Sequence, residues 1–306
     1  MRVVIALGGN ALGETPEKQK EMASITSKYI VPIIKRGYDV ILTHGNGPQV
    51  GLINLAFTEG GKINTKVYSM PFSECGAMSQ GYIGFHLQNA LLNELKREKV
   101  NKSVVSITTQ VEVDKQDPAF SNPTKPIGSF YSKEEAEKMP YTMKEDSGRG
   151  YRRVIASPKP QKVLEMEAIK SLNDSGFVVI TCGGGGIPVV MENGSYTGVD
   201  AVIDKDYASS ILASSINSDI LMILTTVDSC KINFNKPNEE KLGVVSVEEM
   251  EKYNLEGHFL SGSMKPKVEA AIEFVKQDSK RFAIITSIEK ALDALDGKCG
   301  TRIINK

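Results

Sequence analysis

Three short stretches place lysine where an anion or a carboxylate has to answer it. VIDKDYAS, 202 to 209, sets Asp204, Lys205 and Asp206 where an apolar run gives way to a helical pattern, and GSMKPKVEAA, 262 to 271, opens a second helix with Lys265 and Lys267. A lysine at a helix start opposes the positive end of the helix dipole, so it is either solvated surface or it faces a compensating negative group. Asp206 between two such lysines would keep both protonated and fix their direction. The competing reading is that Asp204 or Asp206 is only an N-cap. A third lysine, Lys125 in NPTKPIG, stands between two prolines that restrict the backbone and project the side chain in a defined direction, unless it is a solvated turn residue. Arg149, Arg152, Arg153 and Lys159, in the stretch 144 to 160, could clamp phosphate or pair with neighbouring acids.

Glycine-rich turns supply the other half of an anion site. GGN at 8 to 10, GNGP at 45 to 48, GGGGIP at 183 to 188 and GSM at 262 to 264 each lie where an apolar run stops. Such turns let backbone N–H groups face an anion with no Cβ in the way, and a following helix adds its N-terminal dipole. HGNGPQVG, 44 to 51, only partly imitates the dinucleotide fingerprint: its third glycine is one residue late and the acidic ribose ligand is missing. CGGGGIPVV, 182 to 190, lacks the GK[ST] of a P-loop. A phosphate held here would be held by amides, with lysines brought from elsewhere in the chain.

The elements that must position these groups alternate. β-rich apolar runs at 2 to 8, 38 to 43, 103 to 109, 177 to 182, 219 to 226 and 281 to 286 predict strands, and RVVIAL, 2 to 7, reads as a strand buried on both faces. Helical patterns fall at 16 to 36, 48 to 58, 72 to 99, 161 to 175, 205 to 217, 247 to 253 and 265 to 277, with Pro16 and Pro48 at first-turn positions. The expected fold class is α/β: a three-layer sandwich around an open, mostly parallel sheet. One stretch breaks the alternation. Residues 112 to about 160 are rich in proline and poor in apolar periodicity, which predicts a lid or small subdomain.

Composition narrows the classes further. Lys plus Arg equals Asp plus Glu at 37 each, so no bulk positive field exists to hold nucleic acid or an anionic membrane. Cys75, Cys182, Cys230 and Cys299 show no CxxC pairing and read as free thiols in a reducing compartment. His44, His86 and His258 lie far apart, so no metal-ligand spacing is present. No apolar run approaches the roughly 18 to 20 residues of a membrane span. A strand beginning at residue 2 leaves no signal peptide, and the expected location is cytoplasmic.

ALGGNA, HGNGPQVG, NPTKPIG, EDSGRGYRRV, SPKP, CGGGGIPVV, VIDKDYAS and GSMKPKVEAA, in this order, resemble the carbamate kinases of the amino-acid kinase family from Val3 to Thr301. Most amino-acid kinases carry a lysine just before the first glycine pair. This chain has Ala6 and Leu7 there, as carbamate kinases do, and the resemblance assigns the missing charge to Lys125. Lys265 departs from the apolar residue often found in relatives, which puts contacts near the nucleotide base in question.

The resemblance implies one kinase domain assembled as a homodimer. Its N-terminal part, 1–180, would bind carbamoyl phosphate and carry a protruding subdomain at about 112–160, and its C-terminal part, 181–306, would bind nucleotide. It implies reversible phosphoryl transfer between carbamoyl phosphate and ADP, giving ATP and carbamate, in arginine and carbamoyl phosphate catabolism. Lys125, Lys205 and Lys267 would touch the transferring group, with Asp206 orienting the last two. Gly8, Gly9, Asn10, Gly45, Asn46 and Gly47 would hold the carbamoyl phosphate. Gly183, Gly184, Thr225, Val227 and Met264 would join Lys205 and Lys267 around ADP or ATP. Mg2+ would ride on the phosphates and waters, since no protein cage for it is apparent. Another small-carboxylate kinase, or a nucleotide-binding sensor without chemistry, stands as the alternative.

Overall fold

The computed structural model describes residues 1–305 apart from 9–12, 14, 147 and 261. The first half runs β1 (Arg2–Leu7), α1 (Pro16–Lys35), β2 (Asp39–His44), α2 (Gly47–Ile63), α3 (Phe72–Arg97), β3 (Val104–Ser106), β4 (Gln110–Val113), β5 (Lys125–Tyr131), α4 (Lys133–Ala136), β6 (Met143–Glu145) and β7 (Tyr151–Ile155). It continues with β8 (Pro160–Val163), α5 (Met166–Asp174), β9 (Val178–Ile180), β10 (Ile187–Glu192), β11 (Ser195–Gly198), α6 (Lys205–Ser215) and β12 (Ile220–Thr225). The last part holds β13 (Lys231–Ile232), β14 (Glu240–Lys241), β15 (Val244–Ser246), α7 (Val247–Leu255), α8 (Met264–Lys276), β16 (Phe282–Ser287), α9 (Ala291–Leu295) and β17 (Thr301–Ile304).

The largest sheet has eight strands in the order β15-β17-β16-β12-β1-β2-β9-β3. Every pairing from β16 to β3 is parallel, and β17 alone runs antiparallel to its neighbour β16. The alternation of β1 shows why the run RVVIAL is apolar throughout. Val3, Ile5 and Leu7 pack with residues of α1 and α3, including Ile30 and Leu87, whereas Val4 and Ala6 pack with residues of α6 and α8, including Leu212 and Phe274. Both faces of the sheet are therefore core, and apolar burial on two sides drives the three layers together. Because the central strands are parallel, their C-terminal ends share one edge. The ends of β1, β2, β9 and β12 lie there, the usual place for a ligand in an open α/β sheet.

Two expected elements differ. The strand expected at 103 to 109 stops at Ser106, and the chain then enters β4, which belongs to a second sheet of order β11-β10-β4-β8. The helix expected from 161 begins at Met166, because 160–163 form β8, paired antiparallel with β4. A short strand beside a helix start merges with the helical pattern when only apolar spacing is counted. No strand is expected at 187 to 198, yet β10 and β11 form a hairpin there, whose Asn193-Gly194 turn has both residues at positive φ, 49° and 79°, the favoured two-residue hairpin chemistry.

Within 112 to 160 the chain builds a separate three-stranded antiparallel sheet of order β5-β7-β6. It seats on α2 through a close backbone approach: a Cβ on Gly51 would lie 2.3 Å from the Cα of Gly128. Arg153 of β7 fastens the same junction by donating to Asn54 Oδ1 at 2.9 Å and stacking on Tyr141. Cys75, Cys182 and Cys230 are buried, Cys299 is half-buried, and all four are free thiols. Among the described residues no helix is long and apolar enough to cross a membrane.

Candidate active site

The first turn of α6 is the centre of the site. Asp204 is its N-cap, with Oδ1 accepting from the Asp206 backbone N–H at 2.9 Å, so the choice between the two aspartates as cap falls to Asp204. Asp206 is freed for its neighbours. Its Oδ1 lies 2.5 Å from Lys205 Nζ and its Oδ2 lies 3.0 Å from Lys267 Nζ, with the Asp206 side chain only 3% exposed. Lys267 comes from the first turn of α8 and also donates to the Ser263 carbonyl at 3.2 Å. The α6 turn is anchored to the end of β2: Ser209 Oγ donates to the Lys205 carbonyl at 2.6 Å and lies 2.6 Å from Thr43 Oγ1.

Burial and charge oppose one another in this cluster. Burial alone would raise the Asp206 pKa, but the Lys205 and Lys267 ammonium groups outweigh it and hold the carboxyl far below the ordinary range. Burial depresses Lys205, with the Lys267 charge adding to the effect against the pull of Asp206. Burial also acts against the charge of Lys267, yet the Asp206 carboxylate prevails and raises its pKa. One ionised carboxylate thus supports two ammonium groups whose remaining N–H donors face a cleft of about 680 Å³.

Lys125 reaches that cleft from β5, in the small sheet. Its Nζ lies 2.5 Å from Asp204 Oδ2, so the α6 cap also ties the small sheet to the core. Arg149 and Arg152 line the same cleft from above and pair with Asp146, flanking the Phe130 ring at 4.9 and 5.1 Å.

The opposite wall is glycine backbone. Gly8 follows β1 with no room for a side chain, since a Cβ there would lie 2.8 Å from the Leu224 carbonyl oxygen and 3.8 Å from the Thr225 Cα. Gly9 and Asn10 lie outside the described residues. Gly45, Asn46 and Gly47 join β2 to α2, and a Cβ on Gly45 would lie 3.7 Å from Lys205 Cδ. Asn46 occupies the N-cap of α2 without capping it, which leaves the Gly47 and Gln49 N–H groups with no side-chain partner from the cap. Asn46 Nδ2 donates instead to Ser79 Oγ at 2.8 Å.

Gly183 and Gly184 pack against this wall. A Cβ on Gly183 would lie 2.5 Å from His44 Nε2, and one on Gly184 would lie 2.1 Å from Asn46 Nδ2, with Gly184 at φ +67°. Gln80 of α3 spans three backbone groups, donating to the Thr109 and Gly183 carbonyls at 3.0 and 3.1 Å and accepting from the Thr109 N–H at 2.7 Å. His44 is fully buried, and burial pushes its pKa down to about 4, the Lys205 charge adding to this against a hydrogen bond to the Gly45 carbonyl. Its imidazole is neutral, with Nδ1 donating to that carbonyl at 2.9 Å.

Thr225 ends β12 and Val227 follows it, both partly exposed, while Met264 opens α8 with its Sδ 3.8 Å from Cys230 Sγ. Lys265 turns aside to Glu269 at 3.9 Å. Sequence reasoning did not single out Ser79, Gln80 or the neutral His44. Ser79 and Gln80 sit in an unbroken helical pattern, and the available signal was small and polar residues on one face, Gly76, Ser79 and Gln80 at i, i+3 and i+4.

Comparison with known proteins adds to this geometry. A model of the amino acid kinase family matches residues 1–287. The chain is 53% identical over 306 residues to a carbamate kinase of Staphylococcus haemolyticus, covering 99% of each. It is 53% identical over 305 residues to the carbamate kinase-like protein YqeA of Escherichia coli, covering 99% of this chain and 98% of that one. Its fold superposes on a carbamate kinase from Giardia lamblia bound to AMP-PNP with a TM-score of 0.92 and 45% identity, covering 100% of this chain and 98% of that one.

Proposed function

Because the chain belongs to the amino acid kinase family, and by identity across its length to the carbamate kinases within it, we propose that it transfers a phosphoryl group reversibly between carbamoyl phosphate and ADP, giving ATP and carbamate. The observation that carries this reading is Asp206 held between Lys205 and Lys267, with Lys125 across the same cleft.

Phosphoryl transfer needs alignment and neutralisation of spreading negative charge more than covalent help. An oxygen of the ADP β-phosphate attacks the phosphorus, the bond from phosphorus to the carbamoyl oxygen breaks, and carbamate leaves as an anion. No proton is moved, so no general base is required. Lys205 and Lys267 stabilise the equatorial oxygens in flight, and Asp206 keeps both charged and aimed. Lys125 contributes the third positive charge by exchanging Asp204 for the phosphoryl group. Gly8, Gly9, Asn10, Gly45, Asn46 and Gly47 hold the carbamoyl phosphate, with the uncapped α2 N-terminus facing it. Gly183 and Gly184 pack against His44 and Asn46 and offer their backbone to the nucleotide. Thr225, Val227 and Met264 border the nucleotide.

A nucleotide-dependent kinase of this kind takes its nucleotide with a divalent metal, and here we assign Mg2+ as part of the MgADP or MgATP substrate. The donor set fits that arrangement. Asp206 stays engaged by Lys205 and Lys267, and the ion is carried by phosphate oxygens and water. We further assign a homodimeric assembly, which light scattering tests directly, and a cytoplasmic location.

The deciding experiment is ATP formation from carbamoyl phosphate and MgADP, coupled to hexokinase and corrected for spontaneous decay of carbamoyl phosphate. ATP formation that disappears in Lys205→Ala is the expected result. Its absence from a folded, ADP-binding protein would overturn the reading.

A further inference from the structure

The carboxamide of Asn46 has a fixed orientation, and the reason lies one residue deeper. Ser79 Oγ donates its only proton to the Gly76 carbonyl at 2.7 Å, the normal direction for a helical serine. Toward Asn46 the hydroxyl can therefore only accept, and the atom 2.8 Å from it has to be the amide nitrogen. Asn46 Oδ1 is consequently turned the other way. It makes no capping bond to α2, accepts no hydrogen bond among the described residues and is not sealed off, although Asn46 is only 8% exposed and lines the cleft. Only glycine fits at 184 beside the amide, since a Cβ there would lie 2.2 Å from Asn46 Cγ.

A nearly buried acceptor with no partner of its own calls for a ligand that brings a donor. Carbamoyl phosphate has one, its NH2 group, whereas acetyl phosphate presents a methyl group of similar size at the same place. We propose that Asn46 Oδ1 accepts a hydrogen bond from the carbamoyl NH2 and so discriminates carbamate from acetate, with Ser79 as the positioning residue that sets the acceptor. This inference rests on the carbamate kinase reading and deepens it to the atom that reads the substrate. Backbone amides and lysines serve the phosphate of either compound equally. A polar group built to meet a substrate N–H disfavours the analogue that lacks it, because the site is then left unpaired.

The test is kcat/KM for carbamoyl phosphate and for acetyl phosphate, each with MgADP, in wild type and Ser79→Ala. Without the serine acceptor, the Asn46 amide is free to turn its nitrogen outward. Carbamoyl phosphate kcat/KM is then expected to fall about tenfold, on the scale of one hydrogen bond, with acetyl phosphate changed by less than about twofold. Ser79→Thr, which keeps the hydroxyl, is expected to restore the ratio. Equal loss on both substrates, or an unchanged ratio at wild-type melting temperature, overturns the inference. If Ser79→Ala does not fold, Asn46→Asp replaces it. With acceptor atoms only, it is expected to raise KM for both phosphates through charge repulsion while keeping their ratio within about threefold, and a collapsed ratio overturns the inference. Wild type that forms no ATP from carbamoyl phosphate overturns the underlying reading and this inference with it.

Discussion

Lys125 and Asp204 meet across 79 residues of chain, with Lys125 Nζ 2.5 Å from the carboxylate oxygen of Asp204 that does not cap α6. One aspartate thus does two separable things. Asp204→Asn keeps a cap acceptor and is expected to hold stability within about 0.5 kcal/mol, whereas Asp204→Ala loses the cap and about 1 kcal/mol. Urea denaturation of the two variants checks this, and equal stability would show that the cap contributes nothing.

Asp206 has no such redundancy. Its removal would leave two mostly buried ammonium groups facing one another, and Asp206→Ala is expected to lower stability by roughly 3 to 5 kcal/mol as well as abolish turnover. Lys205→Ala and Lys267→Ala should instead keep the fold and lower kcat by several orders of magnitude, since a desolvated charge at a transition state contributes about 3 to 4 kcal/mol. Melting curves beside steady-state rates separate the two behaviours. Near-normal turnover in either lysine variant would remove that lysine from the mechanism.

His44 gives a pH dependence of known sign. Its folded-state pKa of about 4 lies below the ordinary histidine value of 6.5, so in the interval between them the unfolded chain binds the proton and the folded one does not. Stability from this group is therefore complete above pH 6.5 and falls progressively as pH drops toward 4, by about 3 kcal/mol in all. Denaturation midpoints of wild type and His44→Gln across this interval should converge as pH falls. Parallel curves would show that His44 is not the group responsible.

Gly51 tests whether the small sheet places Lys125. Alanine there puts a Cβ 2.3 Å from Gly128 Cα, so backbone has to move and Lys125 with it. The expected outcome is a fall in kcat of roughly tenfold to a hundredfold, with the ADP dissociation constant unchanged, because an ångström of misplacement is costly to an aligned reaction. Loss of ADP binding would mean that the whole cleft depends on this contact.

The glycine turns at 45–48 and 183–188, the lysines at helix starts and the parallel strands that lead to them are local patterns, and each is legible in the sequence as a type of group in a type of element. Lys125, Lys205 and Lys267 carry their charge in their side chains. RVVIAL announces a strand with two buried faces because burial on both sides requires an unbroken apolar run. Partnership and direction are different quantities. Whether Asp204 or Asp206 caps α6 depends on a lysine from α8 and another from β5, and no local pattern contains them. The side on which Gly183 and Gly184 lie is decided by packing on His44, Gln80 and Asn46, from other turns and helices. The outward oxygen of Asn46 follows from a hydroxyl on α3 that has already spent its proton. Residue type, and so charge and hydrogen-bonding capacity, is written along the chain, while the pairing of those capacities is a property of distance in space, which only the folded sheet and its helices set.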